Sequence, residues 1–208
     1  TQRSLGTFVL NGKHKVDGVG IEWGNSFSYS RVYDPDFRET RISITDGDTT
    51  LSTGNGAGID RFWRNLNEYN ESFRMDITVP IKKSKLKTGV LTTYKFRNFD
   101  VQSYKHRPRN LSDVSINPDW YLSDDNIWTP ETRSGTYTIG NYQPTNTYKA
   151  SQNIFAGYVM MSNTIFKKVD LVYGGRFEFT LMYYTGQNGD GTERYLNRNT
   201  MSDMGILP

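Results

Sequence analysis

The sequence predicts an all-β fold, an antiparallel meander of about six long strands, and three observations carry it. Polarity alternates with a period of two through most of the apolar segments. Aromatic residues make up 14% of the 208 residues, a bias toward strand formers. The 19 glycines, in a polar and aromatic chain, suit β-structure with long loops better than a helical bundle. Helical spacing is nowhere as regular.

Taken in order, Leu5 to Leu10 reads as a short strand that turns through Asn11-Gly12, a dipeptide suited to a two-residue hairpin loop. From 19 to 29 the odd positions are Val19, Ile21, Trp23, Asn25, Phe27 and Tyr29, against Gly20, Glu22, Gly24, Ser26 and Ser28. Phe73, Met75, Ile77, Val79 and Ile81 then share a face opposite Ser72, Arg74, Asp76, Thr78 and Pro80. After a turn at Lys82 to Lys85, Leu86, Thr88, Val90, Thr92, Tyr94 and Phe96 alternate with Lys87, Gly89, Leu91, Thr93, Lys95 and Arg97, so this pair is a hairpin. Ile154, Ala156, Tyr158 and Met160 form a less regular row. A turn at Asn163 to Lys168 leads into the last, Val169 to Tyr183, with Asp170, Gly174, Arg176 and Glu178 on its opposite face.

Connections alternate as well. Short ones fall at about residues 11–16, 82–85 and 163–168, and long ones at about 31–68, 99–150 and from 186 onward, so all long loops share one end. Structureless loops of that length are unusual in a compact soluble domain. They are the expected asymmetry of an outer-membrane barrel, with short periplasmic turns and long extracellular loops. The faces agree: one carries Val, Ile, Leu, Met and Phe with Tyr or Trp toward the strand ends, as lipid and its interfaces require, and the other is fit for a wet lumen. On alternation alone a soluble antiparallel sheet with one face on a core is the better explanation, and the loop asymmetry reverses that preference. Six strands leave open edges that hydrocarbon does not tolerate, so residues 1–208 are read as one segment of a larger closed wall in a bacterial outer membrane.

Several function classes fall away. Lys plus Arg is 25 against 22 for Asp plus Glu, a net charge of +3 with the charges interspersed, which argues against nucleic acid as a partner. No apolar run approaches the roughly 18 residues of a spanning helix, and the N-terminus has neither an apolar signal region nor an initiating Met. With no cysteine and two histidines, thiolate metal sites and a cysteine nucleophile are excluded. His14 sits near a turn and His106 in a basic loop, with no catalytic partner in view. Asp46-Gly47-Asp48 and Asn188-Gly189-Asp190-Gly191 lack the remainder of a calcium loop and read as turns. Gly54, Gly56 and Gly58 lack the Lys-Ser or Lys-Thr of a phosphate loop. Asp124-Asp125 are adjacent rather than set across a cleft. The chain is therefore read as no enzyme, with no cofactor and no metal.

The segments IEWGNSFSYSRVYDPDFRE (21–39), IDRFWRNLNEYNESFRMDITVPI (59–81), LKTGVLTTYKFRNFDV (86–101) and IFAGYVMMSNTIFKKVDLVYGGRFEFT (154–180) carry a resemblance. They resemble the barrel of TonB-dependent outer-membrane receptors of the kind common in Bacteroidota; the last matches the pattern of an Ala-Gly-Tyr strand, a short turn and Gly174-x-Arg176-x-Glu178. The resemblance implies a larger barrel around an N-terminal plug, neither plug nor TonB box being read in this chain, and nutrient uptake. Its implied partners are the lipid bilayer, the remainder of the barrel and plug, TonB acting through that plug, and a nutrient of unknown chemistry.

Candidate ligand-binding residues are the loop aromatics Trp63, Trp120, Tyr121, Trp128 and Tyr137, with Phe62, Tyr142 and Tyr148 nearby. They either stack on a sugar or amphipathic nutrient or pack on one another into a lid, packing being the default. Glu22, Arg74, Asp76, Arg176 and Glu178, with Lys87, Lys95, Arg97 and Asp170, are read as lumen-facing charges that hold a plug, guide a substrate or pair across strands, pairing being the default. Two rival functions remain: a soluble all-β carbohydrate-binding module, and a structural outer-membrane barrel or adhesin.

Overall fold

A computed structural model of the protein describes residues 1–52, 58–111, 115–140, 144–165 and 169–207. The strands in chain order are β1 (Gln2–Val16), β2 (Val19–Thr40), β3 (Ile42–Thr45), β4 (Asp48–Leu51), β5 (Ile59–Ile81), β6 (Ser84–Arg109), β7 (Gly135–Gly140), β8 (Tyr148–Ile165), β9 (Val169–Gln187) and β10 (Arg194–Leu207), with one short helix, α1 (Pro118–Tyr121). The main sheet is antiparallel in the order β1-β2-β5-β6-β8-β9-β10, and β7 pairs with the distal part of β6. β3 and β4 form a separate hairpin. Among the described residues, β1 and β10 pair on one side only.

The expected all-β meander is present, with longer strands than the periodicity marks and one more of them. β5 runs 23 residues and β6 runs 26, where about 9–11 suffice to cross a bilayer. The segment after 186, expected as a loop, holds β10, whose register against β9 shifts twice. The expected turn at Asn11-Gly12 is instead strand, and the chain turns at Asp17-Gly18, both at positive φ as a type I′ turn requires. Packing decides between these two turn dipeptides. Trp23 lies across Gly12, where an added Cβ would stand 2.3 Å from the indole ring, so Gly12 belongs opposite Trp23 in the ladder.

Cross-strand register fixes the two faces. Ile77 pairs with Ile21 and Thr88, Thr88 in turn with Val159, and Val159 with Gly175. One face therefore carries Phe8, Leu10, Trp23, Phe73, Met75, Val79, Leu86, Val90, Phe155, Phe177 and Ile206. The row Ile154, Ala156, Tyr158, Met160 lies on the other face, where Tyr158 donates to Asp76; the outward row of β8 is Phe155, Gly157, Val159, Met161. Two-residue turns close β1 to β2 and β5 to β6, and residues 166–168 join β8 to β9, all at one end. The connections 41–58 and 110–147 lie at the other.

The apolar face is bare. Phe8 is 62% exposed, Val159 54% and Val90 51%. Among the described residues the buried apolar side chains are Leu51, Ile59, Tyr121 and Ala156, and the first three form one cluster with Leu111, Trp120 and Leu122 against it. Among the described residues the packed core thus sits at the long-loop end, not under the sheet.

Candidate functional site

At the long-loop end the sheet rises beyond its apolar stretch and becomes charged. β2 is distorted there: register passes from Asp34 opposite Arg64 to Phe37 opposite Phe62, one extra residue at Pro35-Asp36. Pro35 has no N–H to give a ladder, and Asp36 adopts φ +61, so a bulge is the local solution. It aims the Asp36 carboxylate at Arg61, which donates from Nε at 2.7 Å and from an Nη at 2.8 Å. Arg38 adds a second cation to Asp36 and also reaches Asp119 in α1 at 2.9 Å. The Arg61 guanidinium, more than Arg38, holds the Asp36 carboxyl down to about 2 against the opposing effect of desolvation. Deeper pairs flank this one: Asp34, 1% exposed, takes the Arg64 side chain, and Asp60 takes Arg107 at 3.1 Å. The strand ends are therefore tied to one another by ion pairs, with Arg38 reaching on to Asp119 of the loop, that period-two patterning does not reveal. Their sequence signal is the density of Asp and Arg in 34–41 and 60–64.

Over these pairs the 110–134 segment closes. Asn117 caps α1 by accepting from the Asp119 N–H, with Pro118 next in the chain. Tyr121 points inward at 1% exposure against Leu51 and Ile59, and its hydroxyl accepts from the Ser115 N–H. Trp120 meets Tyr121 edge-on at 5.0 Å.

The five candidate aromatics do not converge. Tyr121 is removed from the set of stacking platforms, because its ring is the centre of the loop core. Trp63 lies on β5, packed edge-on against Tyr104 with Arg61 over its ring at 4.9 Å. It shares its face with Tyr69, which continues through Tyr29 and Phe96 as a row of rings at 4.9 and 6.5 Å. Trp128 is half-buried beside β7, its backbone N–H donating to the Thr136 carbonyl while the indole N–H is buried without a partner. Tyr137 is exposed on β7 opposite Arg107. Phe62 faces Phe37, Tyr148 packs between Phe99 and Tyr184, and Tyr142 lies outside the described residues. Most of these rings pack against neighbouring rings, Phe62, Trp63 and Tyr148 along the strands and Trp120 and Tyr121 in the loop cluster.

The charges expected to face a lumen lie on one polar face of the sheet. Glu22 pairs in register with Asp76, and Tyr158 with Arg176. Lys13 bridges Glu22, the Tyr158 hydroxyl donates to Asp76, and Arg176 bridges Glu178. Arg74 lies over Gly24. Glu68, unmarked in the sequence reading, takes both Arg97 and Lys95. Of the turn candidates, Asp46-Gly47 closes the β3–β4 hairpin with both φ positive, and Asn188 and Asp190 bond within their own turn to Thr192 and Glu193. Gly54 and Gly56 lie outside the described residues. Among those described, no group of His, Asp and Glu is placed to hold a metal.

His106 reports on the loop end. Its Nδ1 meets the Thr138 hydroxyl at 3.0 Å, while Nε2 is buried without a partner. Desolvation, helped by nearby Arg61, pushes its pKa below the ordinary value. Below about pH 6.5 the unfolded segment therefore binds a proton that the folded one resists, and stability falls as pH drops. Amide protection in β7, taken relative to the intrinsic exchange rate at each pH, should fall as pH drops from 7.5 to 5, and His106→Gln should remove that dependence. Protection in the parent protein that does not change with pH would contradict the assignment.

No protein-family model and no curated protein matches the chain. Among solved structures it is similar to the siderophore receptor PiuA from Acinetobacter baumannii, with a TM-score of 0.48 and 12% identity over 98% of this chain. The chain spans 29% of the length of that structure.

Proposed function

We propose that this chain is a wall segment of an outer-membrane, TonB-dependent nutrient receptor, and that it acts in uptake without catalysing a reaction. The observation that supports this is the bare apolar face, on which Phe8, Val90, Phe155, Val159, Phe177 and Ile206 are 44–78% exposed, while the packed cluster among the described residues lies at the loop end. A water-soluble fold does not leave such a surface uncovered, whereas hydrocarbon satisfies it at no cost to the backbone ladder. On β5 the outward row from Phe73 to Ile81 is about nine residues, the length of a membrane-crossing strand. It meets Glu71 and the Tyr29–Tyr69–Phe96 row just above, where an interfacial aromatic girdle belongs. The polar face then borders the lumen, and the long loops form the mouth that captures a nutrient. The Bacteroidota character suggested by the motifs has no support from the solved neighbour, which comes from Acinetobacter.

Partitioning decides between this reading and the soluble carbohydrate-binding module. The complete protein should require detergent or vesicles to stay monodisperse; a monodisperse species in plain buffer would rule out the membrane reading. Whether the mouth binds through rings is a separate question. If Trp120 and Trp128 are platforms, replacing either with Ala should weaken nutrient binding by a few-fold to tens-fold, a stacking contribution of roughly 0.5–1.5 kcal/mol beyond buried area. Unchanged equilibrium affinity with faster protease cleavage of 110–134 assigns both to the lid.

A further inference from the structure

Three glycines on the apolar face, Gly6, Gly157 and Gly175, are not explained by the sheet, and the last two are diagonal neighbours. Glycine inside a strand is destabilising relative to Ala, so each position invites a reason. For Gly89 and Gly174 the reason is crowding: an added Cβ would lie 2.6 Å from the Tyr158 ring at the first and 2.3 Å from the Val159 carbonyl at the second. Gly157 and Gly175 differ. Neither has a positive φ, and the nearest atom to an added Cβ is 3.8 Å away in both, ordinary contact. Neither conformation nor packing demands glycine there.

Their positions in the ladder suggest what does. Val90 stands opposite Gly157, Gly157 opposite Phe177, and Val159 opposite Gly175. The two missing side chains therefore form one diagonal depression across β6, β8 and β9, within a groove of about 760 Å³ walled by Leu86, Val90, Met161, Tyr173, Phe177 and Ile206. A strand glycine that frees space on an open face is a place where another molecule comes close. The groove leads toward the short-turn end, and its rim changes character there. The Tyr173 hydroxyl accepts from the Asn163 amide at 2.9 Å. Asn163 is opposite Ser84, directly after the exposed turn Lys82-Lys83. An apolar trough that ends in hydroxyl, amide and two ammonium groups has the polarity of one phospholipid molecule.

We propose that this groove binds an anionic phospholipid of the leaflet at the short-turn end, an acyl chain lying over Gly157 and Gly175 and the phosphate held at Lys82, Lys83 and the Asn163–Tyr173 pair. The proposal rests on the membrane reading above and adds to it a specific lipid site, with cationic groups placed where an anionic headgroup lies.

The test uses the complete protein reconstituted into vesicles of mixed phosphatidylglycerol and phosphatidylcholine, then released in mild detergent and weighed by native mass spectrometry. The parent protein should retain phosphatidylglycerol several-fold over phosphatidylcholine. The double variant Gly157→Val, Gly175→Val fills the depression without backbone conflict; it should stay in the vesicles and lose most retained lipid. Lys82→Gln with Lys83→Gln should keep a lipid but lose the preference for the anionic one. Equal retention in parent and valine variant overturns the proposal, as does a protein dimer that the valine variant abolishes, which would make a second copy the occupant. Failure of the parent to enter vesicles at all would instead remove the membrane reading, and is seen before any lipid is counted.

Discussion

On the membrane reading proposed above, Ile77→Arg should destabilise the inserted protein by about 2–4 kcal/mol, the cost of a cation on the lipid face of a barrel strand near the bilayer midplane. Ile77 sits in the middle of the outward row of β5, between Met75 and Val79, with Ile21 and Thr88 as its cross-strand neighbours. The informative comparison is Thr78→Arg one residue on. Thr78 faces the other way, between Gly20 and Lys87, where water screens the charge and the small Gly20 leaves room. Urea titration of the reconstituted protein should separate the two variants by most of that range. Equal destabilisation would mean that both faces meet the same medium, and a less stable Thr78 variant would invert the assignment of lipid and lumen sides.

Tyr121→Ala should open the long loop while leaving the sheet intact. The ring is 1% exposed at the centre of the Leu51–Ile59–Tyr121 cluster. Large-to-small substitutions of buried aromatics cost about 3–5 kcal/mol, and here that cost falls on a cluster of few residues. The ion pair of Arg38 with Asp119 is too exposed to hold α1 by itself. Amide exchange should rise across 115–134 and stay unchanged in 69–81 and 84–96, whose ladder is independent of the cluster. Global unfolding of the variant would show instead that the loops and the wall form one cooperative unit.

How much of this was legible in the sequence follows from where water lies. Between 73 and 81, and between 86 and 96, one face is apolar and the other polar, so alternation alone gives the strand, its partner and its face. Above that level both faces are polar, and the same strands continue unmarked through Asp60-Arg61-Phe62-Trp63-Arg64 and Lys105-His106-Arg107. β10 escapes for the same reason, since Arg194 to Asp203 is polar at nearly every position. The turn at Asp17-Gly18 was hidden by an equally good dipeptide at Asn11-Gly12, and only the ring of Trp23 on Gly12 separates them. At the loop end, Trp120 and Tyr121 are equivalent by composition. Which of the two rings is sequestered depends on Leu51 and Ile59, far away in the chain, and no local pattern encodes that choice.

The two half-paired strands at the margins of the sheet constrain any wall that includes it. Direction reverses at every step along β1-β2-β5-β6-β8-β9-β10, so the first and the seventh strand point the same way, both toward the short turns. Bending this sheet until β1 meets β10 would bring parallel neighbours together, whereas bacterial barrels of this kind are antiparallel throughout with an even strand count. A closed antiparallel ring containing these strands therefore holds an odd number of others, and its circumference cannot be completed by self-association of the two margins.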